Sequence, residues 1–215
     1  MTLPATASDS RSVMRFFAFL SVVLLLSACS ETPTETKVKE PEKPPAPITA
    51  QQAFRYTYPA ARAWAGDSLP LRIRSIHLTD VPAEPGKAGA WEIIYVSQAQ
   101  QQAKIYTWSA IEASETLHKD VFAGKPQAWS GASGQEKPFE ASAFHIDTPA
   151  ALETAISNNK AYLDKPGTKP AVNFLLEFTP RFPDAVWRVM WGETEGSAQS
   201  TVFVDAATGQ VVGKD

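Results

Sequence analysis

Two pairs of residues have the types and the spacing that catalysis or metal binding would need. His145 and Asp147 stand two residues apart, so in an extended segment both side chains project from one face. Such a pair can act as a general base with its orienting carboxylate, or as two metal ligands. Glu193 and Glu195 are a second pair, placed just before Gly196. The first pair has no third catalytic residue or metal ligand, so helix capping by Asp147 is the favoured interpretation. The two glutamates are expected in an exposed hairpin, because they stand just before a glycine.

The rest of the composition argues against an enzyme and against a nucleic-acid binder. The 215 residues include one cysteine and three widely separated histidines, and His77 and His118 have no visible partner. No Gly-x-Ser-x-Gly, His-Glu-x-x-His or Walker-type sequence is present. The formal net charge of −3 disfavours the basic surface that nucleic-acid recognition requires. We therefore predict no catalytic residue, no metal site, no cofactor and no nucleic-acid partner.

Tryptophan is the other residue type that suggests a site. Four of the six tryptophans, Trp91, Trp108, Trp187 and Trp191, fall in predicted strands. Aromatic side chains on a pleated face usually build the core, but they also form platforms for sugars or apolar ligands. The core is favoured for Trp91 and Trp187. Trp108 and Trp191 are the candidate contacts for a ligand or partner.

The N-terminus indicates export from the cytoplasm. Residues 16–28 are an uninterrupted run of apolar and small side chains, preceded by Arg11 and Arg15. A helix of this length rises only about 20 Å, too short for a hydrocarbon core of about 30 Å. We therefore predict a secretory signal peptide over residues 1–28. Met14 is an alternative start to Met1, and the mature chain is the same in both cases.

The apolar run ends in Leu26-Ser27-Ala28-Cys29, which resembles the bacterial lipobox. The resemblance implies that the signal is cleaved before Cys29 and that this residue is acylated and anchors the protein in a membrane. Ser30 follows, where lipoproteins kept in the inner membrane tend to carry aspartate. The resemblance thus implies the outer membrane, with the domain facing the periplasm. If the lipid consumes the only thiol, the mature domain must fold without a disulfide.

The composition of residues 30–48 is typical of a tether. Five prolines and seven charged residues are interleaved, with no aromatic residue. Such a segment cannot bury enough apolar surface to offset its ordering entropy. Residues 29–48 are therefore predicted to be an acylated, flexible spacer with a reach of up to about 60 Å. A docking peptide for a partner is the alternative, although no motif stands out.

A first helix-plus-sheet unit is predicted over residues 49–123. Thr49 and Gln52 have capping-box spacing before a helix that extends to Trp64. Pro59 is expected to kink this helix or delay its start. Strands are predicted from alternation and β-forming residues over residues 69–78, 91–96, 104–111 and 117–122.

A Gly-, Ser- and Ala-containing connector over residues 124–146 leads to a second unit over residues 147–215. Thr148 is the predicted N-cap, with Pro149 at the first helical position. Strands are predicted over residues 173–179, 186–191, 200–205 and 211–212. In the second strand of this set, alternation places Trp187, Val189 and Trp191 on one face.

Similar offsets relate the two units, which indicates a duplication. Thr49 and Thr148 are 99 residues apart, and Trp91 and Trp187 are 96 apart. A helix followed by strands occurs both times. The predicted fold is α+β, with two repeated units, each a helix packed on a three- or four-stranded antiparallel sheet.

The end of the second unit resembles the PepSY domain pattern. Trp187-Arg188-Val189 is followed by a strand that ends in Asp205-Ala206-Ala207-Thr208-Gly209 before a short final strand. In such a turn the glycine supplies a positive φ and the aspartate can accept hydrogen bonds from backbone amides. The first unit lacks this turn, so the resemblance covers the second unit alone. PepSY-like domains are typically non-catalytic, and inhibition of peptidases has been proposed for some, so the resemblance implies a binding or regulatory role.

Together these features predict a non-enzymatic, lipid-anchored module of the periplasm that contacts an envelope protein or peptide. An exposed sheet edge or the groove between the units is the expected contact surface. The alternative is a small-molecule or glycan binder that uses Trp108 or Trp191. An envelope hydrolase that uses His145 and Asp147 is the least favoured alternative.

Overall fold

The computed structural model describes residues 44–133, 135–166 and 171–215, and the structural statements below concern these residues. The predicted signal peptide, Cys29 and most of the predicted tether lie outside them. The elements are α1 (Ala50–Trp64), β1 (Leu69–Ile76), β2 (Ala90–Ser97), β3 (Gln102–Ser109), β4 (Asp120–Ala123), β5 (Gln127–Ala128), α2 (Thr148–Asn158), α3 (Lys160–Leu163), β6 (Val172–Glu177), β7 (Val186–Trp191), β8 (Ser200–Asp205) and β9 (Val211–Lys214). None of the helices in the described ranges has the length and apolar character needed to cross a bilayer.

The nine strands of the described chain form one antiparallel sheet. Their order across the sheet is β4-β3-β2-β1-β6-β7-β8-β9, and β5 pairs with β3 beside β4. The predicted α+β class and antiparallel pairing are confirmed. The two sets of strands join edge to edge at a seam between β1 and β6, where Ile73 lies opposite Leu176. The sheet is therefore continuous, with a helix followed by antiparallel strands on either side of the seam.

Helix α1 begins where the sequence predicts it. The Thr49 hydroxyl accepts from the N–H of Gln52, and the Gln52 side chain accepts from the N–H of Thr49. This capping box satisfies two backbone donors that have no partner inside the helix. Pro59 lies within the helix and does not delay its start. The side of the helix that packs on the sheet carries Ala50, Ala53, Phe54, Thr57 and Ala61.

Helix α2 begins one residue earlier than predicted. Its N-cap is Asp147, whose Oδ1 accepts from the N–H of Thr148 at 2.8 Å. The Thr148 hydroxyl instead donates to the backbone carbonyl of Gly86 at 2.6 Å. The prediction of Thr148 as N-cap was wrong because this threonine makes a tertiary contact that local spacing does not reveal.

The core lies between the two longer helices and one face of the sheet. Trp91, Tyr95 and Trp187 are fully buried there. Trp187, Val189 and Trp191 share this face of β7, as alternation predicts.

Residues 135–146, the second half of the predicted connector over residues 124–146, are packed into the fold. The N–H of Lys137 donates to the carbonyl of Phe178 at 2.9 Å, and the N–H of Phe139 donates to the carbonyl of Pro70 at 2.9 Å. These bonds attach the segment to the ends of β6 and β1, so it crosses the seam of the sheet. The Phe139 ring is buried in the same core.

The turn between β8 and β9 has the geometry that its sequence predicts. The Asp205 Oδ1 accepts from the N–H of Ala207 at 3.0 Å, and from the N–H and hydroxyl of Thr208 at 2.7 and 2.9 Å. Gly209 has a φ of +76°, a conformation that strains residues with a Cβ. The aspartate and the glycine therefore specify this turn locally.

Candidate functional site

The carboxylate of Asp147 is committed to helix capping and not to His145. Its Oδ1 accepts from the N–H of Thr148 and, at 3.1 Å, from the N–H of Gln51 in the first turn of α1. His145 is exposed, and its backbone carbonyl accepts from the Gln51 side-chain amide at 3.0 Å. Asp147 thus joins the N-termini of α1 and α2, in line with the capping interpretation. Within the described ranges, no three His, Cys, Asp or Glu side chains are placed to hold a metal ion.

Glu193 and Glu195 lie in the connection between β7 and β8. Glu193 is exposed, and Glu195 is half-buried in a short 3-10 turn. Thr194 caps that turn by accepting from the N–H of Ser197 at 3.2 Å. The two glutamates therefore flank Thr194 in the connection of the β7–β8 hairpin, as predicted, although only Glu193 is exposed.

The structure corrects the interpretation of Trp108 and Trp191 as contact residues. Their exposed fractions are 8% and 2%. Trp108 stacks on Tyr56 of α1 with ring centroids 6.4 Å apart, and Trp191 lies 6.5 Å from the ring of Tyr162 in α3. Both rings pack helices onto the sheet, so neither offers a free face to a sugar or a partner.

The opposite side of the sheet, which we call the helix-free face, carries a row of one aromatic and three polar side chains. Side chains alternate between the faces of a strand, and the tryptophans adjacent to this row on β2 and β3 belong to the core. The strand register aligns Phe122, Thr107, Glu92 and Arg74 on β4, β3, β2 and β1. Four neighbouring strands thus bring these side chains together on one surface.

An open cavity of about 450 Å³ lies over this row, and we call it the strand groove. The side chains that matter for its chemistry are Arg74, Glu92, Ile105, Thr107, Leu117 and Phe122. The exposed Lys125 also lines it, just after β4. The lining combines two cations, one carboxylate, three hydroxyls and one amide with several apolar surfaces, a mixture typical of ligand sites.

An ion pair orders the polar part of the groove. Arg74 Nε and Nη2 donate to the two carboxylate oxygens of Glu92 at 2.8 and 3.0 Å. This bidentate hydrogen bonding is the main cause that raises the pKa of Arg74, and Glu195 adds a weaker attraction. Because a two-point contact fixes a guanidinium in its plane, Arg74 is held in one orientation.

Thr107 gives the groove an unsatisfied polar group. Its side-chain oxygen is buried without a hydrogen-bond partner in the described part of the chain, and the residue is 5% exposed. An unpaired buried hydroxyl costs about 1–3 kcal/mol. A ligand that hydrogen-bonds to Thr107 would recover this free energy.

A second cavity of about 620 Å³ lies around the connection between β1 and β2. Its lining includes Leu78, Val81, Leu152 and Phe174, which are apolar. The His77 side chain also lines it, and its Nε2 lies 3.2 Å from the carbonyl oxygen of Val172. Its lining also includes Glu84 and Lys87, which form an ion pair through a single contact of 2.6 Å, whereas Arg74 and Glu92 of the strand groove share a two-point contact.

The strand groove was not predictable from the sequence. The alternation of Leu71 and Ile73 with Arg72 and Arg74 indicates only that the arginines face away from the core. The usable signal was the recurrence of polar residues on one face of three strands. Their alignment depends on the register between strands, which the sequence does not state.

Comparison with known proteins does not assign the chain to a family. No family model matches the sequence, so the resemblance to PepSY domains is not confirmed. No curated protein matches it either. Among solved structures, it is similar to CD1622 from Clostridium difficile 630, a protein provisionally named a lipoprotein, with 9% sequence identity and a TM-score of 0.44. That match covers 76% of this chain and 91% of CD1622.

Proposed function

We propose that this chain is a lipid-anchored, non-enzymatic binding module of the cell envelope that takes a peptide segment in the strand groove. The observation that carries the proposal is the buried, unpartnered hydroxyl of Thr107 at a cavity of about 450 Å³. A hydroxyl both donates and accepts hydrogen bonds, as peptide N–H and carbonyl groups do. A peptide backbone is therefore a chemically suitable partner for it.

The position of the groove beside a sheet edge favours a peptide over a compact small molecule. Among the described strands, β4 pairs with β3 alone, so its other edge has backbone groups free for an added strand. Val121 on this edge is 38% exposed. Phe122 belongs to both β4 and the groove lining. An extended segment can thus contact the edge and the groove together.

Membrane attachment is the second part of the proposal. Its support is the lipobox-like sequence ending at Cys29 and the serine that follows, which favour acylation and residence in the outer membrane facing the periplasm. We also infer that the two halves of the fold are copies of one PepSY-like unit. The support here is the repeated order of elements and the turn at Asp205 and Gly209.

Binding is tested with the detergent-solubilised full chain and random peptide libraries displayed with free amino ends and with free carboxyl ends. We expect enrichment of peptides with a shared pattern, whose synthetic versions bind Thr107→Val at least tenfold more weakly. Thr201→Val is the matched control, because Thr201 is another buried strand threonine (7% exposed) outside the groove lining. Failure to enrich any peptide, or equal binding to wild type and Thr107→Val, would contradict peptide binding in this groove.

Anchoring is tested by metabolic labelling with a palmitate analogue in Gram-negative cells. Wild type should be labelled and should fractionate with the outer membrane. Cys29→Ala should lose the label and the membrane association. Retention of both in Cys29→Ala would contradict acylation at this position.

A further inference from the structure

We propose, on the basis of the function above, that the strand groove recognises the C-terminal carboxylate of a peptide that ends in an apolar residue. A peptide end of this kind and a free amphipathic acid have the same chemistry, a carboxylate next to an apolar group. The inference comes from the balance of donors, charges and apolar surfaces around Arg74.

The groove contains hydrogen-bond donors that have no partner among the described residues. Arg74 has five N–H donors, and its Nε and Nη2 bond to Glu92. Its Nη1 has no hydrogen-bond partner among the described residues. The hydroxyl of Thr107 is a further unused donor, and Lys125 lines the groove with an exposed ammonium group. A ligand that supplies acceptor oxygens matches this arrangement.

The charges of the lining favour a ligand with a single negative charge. Arg74 and Lys125 are cationic, and Glu92 is the one carboxylate among the described lining residues. Glu92 is half of a closed ion pair with Arg74, which leaves the charge of Lys125 uncompensated within the lining. Glu195 lies outside the lining and attracts Arg74 only weakly, as the last of the causes acting on its pKa. One carboxylate balances the remaining charge, whereas a doubly charged phosphate would exceed it.

The apolar side chains of the groove specify what lies next to the carboxylate. Ile76, Ile105, Leu117 and Phe122 line the same cavity as the donors. A carboxylate attached directly to a residue with an apolar side chain presents both chemistries within one residue. The end of a peptide has this arrangement.

Strand β4 explains why a peptide end is favoured over a free amphipathic acid. Phe122 connects the groove to the edge of β4, which pairs with β3 alone among the described strands. A peptide whose last residue lies in the groove can place its preceding residues along this edge and gain backbone hydrogen bonds. A free acid has no such residues, so a peptide end should bind more tightly than a free acid.

The test compares one library-derived peptide made as the C-terminal acid and as the C-terminal amide, with octanoate as the free-acid probe. Binding to the full chain is followed by fluorescence anisotropy of a label at the peptide amino end. We expect the acid to bind at least tenfold more tightly than the amide. Octanoate should compete at least a hundredfold more weakly than the peptide acid. Adding salt should narrow the gap between acid and amide, because the selective interaction is ionic.

Variants identify the side chains that bind the carboxylate. Arg74→Gln should reduce the preference for acid over amide to less than twofold. Because this variant leaves Glu92 unpaired and can fail to fold, Lys125→Gln is a second variant, in which the preference should fall two- to fivefold. Arg181→Gln is the matched control with an unchanged preference, because Arg181 is an exposed arginine paired with Asp215 outside the groove.

Each contrary outcome has a distinct meaning. Equal binding of acid and amide overturns carboxylate recognition but leaves peptide binding in place. Octanoate that binds as tightly as the peptide acid overturns the peptide end as the source of the carboxylate. An acid preference that survives in both Arg74→Gln and Lys125→Gln overturns the location in this groove. Absence of any peptide binding overturns the proposed function itself.

Discussion

Trp91 and Trp187 make the same hydrogen bond in the two halves of the sheet. The Trp91 indole N–H donates to the carbonyl of Ile48 at 2.9 Å, and the Trp187 indole N–H donates to the carbonyl of Ile146 at 2.7 Å. Each acceptor belongs to the residue just before the N-cap of a helix. Each tryptophan thus fastens the start of α1 or α2 to the second strand that follows it.

Replacing these tryptophans should have unequal effects on stability. The carbonyl of Ile48 also accepts from the N–H of Ala88, so Trp91→Phe leaves it with one partner. The carbonyl of Ile146 has no second hydrogen bond within the described residues. Both variants should lose a similar amount of packing energy. The lost hydrogen bond should lower the free energy of unfolding by a further amount, about 0.5–1.5 kcal/mol in Trp91→Phe and about 1–3 kcal/mol in Trp187→Phe.

Urea denaturation measures both values. The control is Trp64→Phe, because Trp64 is half-buried and its indole N–H makes no hydrogen bond in the described ranges. An effect of Trp187→Phe no larger than that of Trp64→Phe would contradict the importance of the indole hydrogen bond.

Removal of the Asp147 carboxylate should weaken the starts of both helices. Asp147→Ala loses the bonds to the N–H groups of Thr148 and Gln51. We expect a loss of about 0.5–2 kcal/mol for the α2 cap alone, with a further loss at α1. Asp147→Asn keeps an acceptor oxygen and should lose clearly less. Equilibrium unfolding in urea distinguishes the variants, and Asp80→Ala is the control because Asp80 is exposed. Equal losses of stability in Asp147→Ala and Asp147→Asn would contradict the role of Asp147 as a hydrogen-bond acceptor.

The stability of the domain should fall at alkaline pH because of Tyr95. This phenol is fully buried and lies 2.9 Å from the Thr57 hydroxyl, and burial raises its pKa well above the ordinary value. The folded pKa therefore exceeds the unfolded one, so the stability it contributes is complete below about pH 10 and is lost above it. Tyr95→Phe removes the part of the alkaline pH dependence that is due to Tyr95. A second part remains, because burial also raises the pKa of Tyr106.

The measurement is the urea-unfolding free energy at pH 8 and pH 11. The stability advantage of wild type over Tyr95→Phe should shrink by about 1.4 kcal/mol between these values. Tyr56→Phe is the control, because Tyr56 is exposed, and it should change the unfolding free energy by the same amount at pH 8 and at pH 11. A constant difference between wild type and Tyr95→Phe would show that Tyr95 does not govern the alkaline loss.

The turn between β8 and β9 should be sensitive at two positions. Asp205→Ala leaves the N–H groups of Ala207 and Thr208 without their acceptor, and about 1–3 kcal/mol should be lost. Gly209→Ala places a Cβ at a φ of +76° and should cost about 1–2 kcal/mol. Gly196→Ala is the control, because a Cβ there meets open space. Thermal unfolding checks all three, and a Gly209→Ala variant as stable as Gly196→Ala would contradict the strain.

Local features of the fold were predictable from sequence because they depend on neighbouring residues. The capping box joins residues three apart, and β7 and β8 have the predicted bounds because their β-forming residues are flanked by turn signals. The turn at Asp205 and Gly209 is likewise built within five residues. The α2 cap was misplaced by one residue because Thr148 bonds to Gly86, 62 residues away.

By itself, the sequence determined the order of helices and strands, the helix and turn signals, and which side of each strand is polar. The tertiary structure alone decided that β1 pairs with β6, that Trp108 and Trp191 are covered by helices, and that Arg74, Glu92 and Thr107 lie side by side. The physical reason is that alternation states which face a side chain occupies, whereas the pairing of distant strands decides its neighbours.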